Sequence, residues 1–225
     1  MKTIKKRFTL ALGLALLLQA AAPFISGVFL FDPLVDKTDI GKTMLNLAQH
    51  PFNAQLSIFL DIVAVMGVIW LGVLFYTLLQ KNNKTWAMTG LGFYVLEAVM
   101  LLVGKTFSYA LIRTSDLYLI TSEISLLSTG QVLLQVEKFI SSMAMIPFGV
   151  GAFLFYYLLV KSKALPTWIS IWGLVSMFLV LFGIPLIAYG VKIPFAIVFP
   201  YVQFEFFIGG YVLIKGLREK ALNDI

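Results

Sequence analysis

Six ionisable residues sit inside stretches of the chain that otherwise contain none. Asp61, Glu97, Glu137 and Glu205 are the acids; Lys105 and Lys138 are the bases. On insertion scales a charged side chain costs roughly 2.5–3.5 kcal/mol at the centre of a membrane helix. Groups placed there must pair, reach the interface, or hydrogen-bond in neutral form. Helical rise, ~1.5 Å per residue, sorts them by depth. Asp61 and Lys105 lie about 22 residues to either side of the middle of a turn at 81–84. An antiparallel hairpin folded there brings them level and predicts an ion pair. Counted about a second turn at 161–163, Glu137 comes level with Lys192, predicting another pair near the outer surface. Lys138 can snorkel outward.

Glu97 and Glu205 differ. Each lies about a dozen residues into its helix, hence near the bilayer midplane, with no basic residue level with it. Gln19 and Gln203 fall at similar depth. Two chemistries suit buried carboxyls of this kind. They can be hydrogen-bonded glue between helices, or they can line an outward-facing cavity that answers to protons or cations. The candidate ligand-binding set is Glu97, Glu205, Gln203 and Gln19; the candidate ion pairs use Asp61, Lys105, Glu137 and Lys192.

Composition dictates what holds these residues. Of 225 residues, 60% are hydrophobic and only 12% charged, with a mean hydropathy of +0.94. Soluble domains carry about 25% charged residues. So large an apolar excess has no core to hide in, and lipid becomes the solvent. The expected fold is all-α, a six-transmembrane-helix bundle forming a single membrane domain over 1–225. Its spans are 8–31, 54–80, 85–112, 132–160, 164–190 and 194–215, with outer loops at 32–53 and 113–131. In the first loop Ile40, Met44 and Leu47 recur at helical spacing after a capping Asp39, which predicts a short helix resting on the outer surface. The basic start and Ala20–Ala22 resemble a signal peptide, but an uncharged run of 24 residues from Phe8 to Phe31 is too long for its apolar region of about 7–15. A first span is the preferred reading over cleavage of residues 1–22.

Basic residues give the orientation. The amino end, the two turns and the carboxyl tail hold 11 of the 17, against four on the other side. Both termini are therefore expected in the cytoplasm, in a multi-pass protein of the plasma membrane. An internal echo, LFYTLLQK at 74–81 and LFYYLLVK at 154–161, fits either duplicated hairpins or convergent exits from lipid.

Much chemistry is absent. There is no cysteine and a single histidine, His50. No metal site and no cofactor are expected, and no metalloprotease, nucleophile-elbow or phosphate-loop motif occurs. No basic stripe suits nucleic acid. Gly149, Gly151, Gly209 and Gly210 read as close-packing points, and Pro147, Pro185 and Pro200 as tolerated kinks.

Two stretches carry a resemblance. LPTWISIWG at 165–173 opens one span, and Pro200, Glu205, Tyr211, Leu213, Lys215 and Gly216 punctuate the last. With the length and layout, these resemble a bacterial membrane family known as a domain of unknown function, DUF4386. Tyr211 stands where that family often has Trp. The resemblance implies architecture and membrane location, and it marks Glu205 as the acid to mutate first. The leading functional reading is a non-enzymatic protein that binds or moves a small amphiphilic or cationic ligand at buried carboxylates. The alternative is a structural or regulatory subunit bound to another membrane protein. An intramembrane carboxylate enzyme is the third.

Overall fold

The computed structural model describes residues 2–188, 191 and 195–218, and within them every regular element is helical. Helix α1 spans Lys2–Ile25 and continues through a π-helical turn, Ser26–Phe31, and a 3-10 turn, Asp32–Leu34. The remaining helices are α2 (Ile40–Gln49), α3 (Pro51–Leu79), α4 (Lys84–Thr121), α5 (Ser125–Ser162), α6 (Thr167–Ala188) and α7 (Phe195–Lys215). Four stretches, Ile4–Leu34, Pro51–Leu79, Lys84–Thr121 and Ser125–Ser162, are long and apolar enough to cross a membrane; the apolar part of α6, Thr167–Gly183, is shorter. These helices present large apolar side chains outward as well as inward: Phe59, Met66, Trp70 and Val73 of α3 are all exposed. An apolar outer face has no place in water, so the chain is built as a membrane protein.

The helices pack mostly against their chain neighbours. α1 packs on α3, α3 on α4, α4 on α5, α5 on α6 and α6 on α7, and α7 returns to α1. Among the described residues these contacts close a ring of six helices. Small residues let the helices come close. A Cβ on Gly151 of α5 would stand 3.0 Å from the Gly90 carbonyl oxygen of α4 and 2.8 Å from the Tyr94 ring. One on Gly209 of α7 would stand 2.7 Å from Leu17 of α1. Gly149 similarly accommodates Leu181, whereas Gly210 faces open space. Pro147 and Pro200 lie within continuous helices.

Two cores fill the ring at different heights. Toward the end that carries the 81–83 turn, Phe75, Tyr94, Phe148, Phe155, Tyr156 and Phe204 form a solid aromatic floor. Rings meet edge-on or tilted at 5.0–5.1 Å in Phe75–Phe155, Tyr94–Phe155 and Tyr156–Phe204. Phe75 and Phe155 occupy matching positions of the two echoed segments. At the opposite end Met44 and Leu47 of α2 pack on Leu111, Ile112 and Leu134 of α4 and α5. Asp39 caps α2, accepting the Lys42 amide at 3.2 Å. This helix is therefore wedged into a second core and does not simply rest on a surface.

The expected outer loop at 113–131 is not a loop. α4 continues to Thr121 and α5 starts at Ser125, with Ser122 in the left-handed conformation (φ 56°) turning the chain. The Ser and Thr residues that read as loop are absorbed by the helix: Thr114, Ser115 and Thr121 each donate to the carbonyl four residues back. At 38 residues each, α4 and α5 are about 57 Å long, nearly twice a ~30 Å hydrocarbon layer. α3 likewise starts earlier than expected, at Pro51, whose missing N–H costs nothing in a first turn.

Candidate functional site

Above the aromatic floor, toward the end that carries α2, the ring holds a partly open cavity of about 370 Å³. α1, α3, α4, α5 and α7 all contribute walls. Gln19 of α1, Glu97 of α4, and Tyr201 and Glu205 of α7 line it deep down; Asp61, Lys105, Glu137 and Lys138 line it nearer the capped end. Eight helical residues separate Lys105 from Glu97, a vertical distance of about 12 Å.

The deep group is almost entirely out of solvent. Glu97 is 5% exposed, Glu205 6% and Gln19 6%. Gln19 Nε2 donates to Glu205 Oε1 at 2.6 Å, and Tyr201, one helical turn before Glu205, lines the same end of the cavity. Glu97 has a different environment. Its Oε2 is buried and has no hydrogen-bond partner. Glu97 and Glu205 also lie close enough to repel one another when both are charged. Phe148, Val68 and Val65 supply apolar wall around these acceptors. The deep group therefore sets two carboxyls beside one amide and one phenol, and among the described residues no positive charge lines that end of the cavity.

The upper group is a triad. Lys105 Nζ lies 2.9 Å from Asp61 Oδ2 and 2.9 Å from Glu137 Oε1. Ser141 Oγ donates to the same Glu137 oxygen at 3.0 Å. One ammonium thus ties α3, α4 and α5 together. Across the whole cavity five carboxyl groups (Asp32, Asp61, Glu97, Glu137, Glu205) face two ammonium groups (Lys105, Lys138). A cleft so lined focuses negative potential and concentrates cations.

Of the candidate site residues, the structure brings Gln19, Glu97 and Glu205 together, and separately Asp61 with Lys105. Gln203 is elsewhere: it is exposed on the outer face of α7 and lines no part of the cavity. Two residues from Glu205 is about 200° around a helix, the opposite face. Glu137 takes Lys105 as its partner; Lys192, expected to pair with it, lies outside the described residues. Tyr201 was not among the candidates, although its position four residues before Glu205 puts both on one face. Among the described residues no cluster of His, Asp or Glu suited to a metal ion occurs.

The family model described as Domain of unknown function (DUF4386) matches residues 11–216. The chain belongs to this family. The DUF4386 match takes in all the residues of the deep group and of the triad. No curated protein and no solved structure matches the chain.

Proposed function

We propose that this DUF4386 protein crosses the bacterial plasma membrane six times with both termini in the cytoplasm, and that its cavity binds, and in a moving protein would pass, a small organic cation. The observation that carries the reading is Glu97, whose side chain lines the cavity and whose buried Oε2 has no hydrogen-bond partner. An unmet buried acceptor is costly, and an ammonium N–H supplies the missing donor and the missing charge together. The apolar walls favour an amphiphilic cation over a bare metal ion, and 370 Å³ falls within the ~300–1,000 Å³ range of small-molecule sites. Placing α2 and the α4–α5 tip outside follows from the basic turns and termini, and makes the cavity an outward vestibule.

The test uses 2-phenylethylammonium titrated into the full chain in nanodiscs. Glu97→Gln and Glu205→Gln should each weaken binding at least tenfold, about 1.4 kcal/mol. Unchanged affinity in both variants, or no binding to the unaltered protein, overturns the reading. The regulatory-subunit alternative rests on another feature. Ile120 and Ile124, at the tip of the α4–α5 hairpin, are 79% and 80% exposed, and apolar side chains held that far from the spans suit a partner protein.

A further inference from the structure

The triad at the capped end of the cavity has a use beyond holding helices. Asp61 Oδ2 and Glu137 Oε1 come from different helices and converge on one nitrogen at hydrogen-bonding distance. That nitrogen is a primary ammonium on a flexible four-carbon stem. The two acids line the same cavity as Glu97, about two helical turns above it. Ser141 holds the Glu137 carboxyl in place from a turn further along α5, so the clamp is positioned by a donor besides Lys105.

We propose that the Asp61–Glu137 clamp is an outer ammonium-binding station, filled at rest by Lys105 and able to accept the ammonium of a primary amine in its place. The proposal rests on the cationic-ligand reading only for its biological use; the station itself stands on the triad geometry. It also narrows the ligand class. The clamp offers two in-line acceptors, so it rewards N–H donors. A primary ammonium has three of these and a quaternary ammonium none. A ligand with an NH₃⁺ group could take over Lys105's hydrogen bonds one at a time and then descend the ~12 Å to Glu97 and Glu205.

Lys105→Ala vacates the station, and radiolabelled methylammonium is the probe, counted at saturation by equilibrium dialysis of the full chain in nanodiscs. One equivalent bound to the unaltered protein and two to Lys105→Ala support both stations. None and one support the outer station while removing the inner reading. Equal binding to the two proteins overturns the outer station. The extra equivalent should vanish in Lys105→Ala/Glu137→Gln and should not appear with tetramethylammonium. If Lys105→Ala does not fold alone, methylammonium in the growth and purification buffers should recover it and tetramethylammonium should not. Recovery by both, or by neither, overturns the proposal.

Discussion

Lys105→Met is the perturbation with the sharpest expected outcome. The triad places one cation between two acids, so its formal charge is −1. The three side chains are 16% (Lys105), 20% (Asp61) and 9% (Glu137) exposed, mostly buried but bordering a cavity. Removing the ammonium leaves two carboxylates without a countercharge. Removing one partner of a buried pair costs about 3–5 kcal/mol, and cavity water places this case toward the lower end. Asp61→Asn has the opposite effect on the charge balance. It leaves a one-to-one Lys105–Glu137 pair and an amide oxygen that can still accept, so the loss is about 1 kcal/mol. Glu137→Gln falls between, because the same oxygen serves Lys105 and Ser141. Unfolding midpoints of the full chain in one lipid nanodisc composition give the ranking. Adding Asp61→Asn to Lys105→Met should restore part of the loss, since one acid rather than two is then uncompensated. If Asp61→Asn proves as damaging as Lys105→Met, or if the double variant recovers nothing, the charge argument fails.

Three further outcomes follow from separate parts of the molecule. Gly209→Val, whose Cβ would stand 2.7 Å from Leu17, should destabilise by about 1–3 kcal/mol, while Gly210→Ala, with nothing within 4 Å, should be neutral or stabilising by up to ~1 kcal/mol; equal effects would refute the close α1–α7 crossing. Asp36, in the turn before α2, has its carboxyl held below its ordinary 3.8, first by the Thr38 amide and then by the Thr38 hydroxyl and Asp39 amide. A lowered folded value means the turn is fully held above 3.8 and loosens as pH falls through the lower folded value; amide exchange at Thr38 and Asp39 should quicken there, and Asp36→Asn should abolish that pH dependence. Because the chain has no cysteine, single cysteines report sidedness cleanly: a membrane-impermeant maleimide should label Ile124→Cys in intact cells and Asn82→Cys only after permeabilisation, and the reverse pattern would overturn the orientation.

The parts of the fold that were legible in the sequence are those governed by a single strong term. Uncharged runs mark helices because each charge in lipid costs kilocalories. The tight turn at 81–83 makes residue counting along α3 and α4 a measure of height, and that count places Asp61 beside Lys105. Asp39 followed by Ile40, Met44 and Leu47 reads as a capped amphipathic helix, which α2 is. The pairing of Gln19 with Glu205 was legible only as equal depth. Depth leaves the angle around the helix open, which is why Gln203, at the same depth, could not be excluded until the ring was closed. The distance to Glu97 likewise depends on how α4 and α7 turn toward each other, and no local pattern carries that.

The segment 113–131 shows how one misplaced turn propagates. Its Ser and Thr residues lower apolar content without lowering helicity, because each hydroxyl can return to a carbonyl of the preceding turn. Read as loop, it hides the reversal at 122–124. Counted from residue 123, Lys105 lies 18 residues back and Glu137 14 residues ahead, a mismatch of about one helical turn that a long side chain spans. Counted from the 161–163 turn, the same Glu137 falls nearer Lys192. That hinge therefore hides Lys105 as a partner of Glu137, and with it the third member of the triad. A weaker signal was present: Leu111, Ser115 and Tyr118 continue an inward face at spacings of four and three past the apparent end of the span. Burial of that face against α2, rather than hydropathy, keeps α4 and α5 helical as far as the reversal at 122–124.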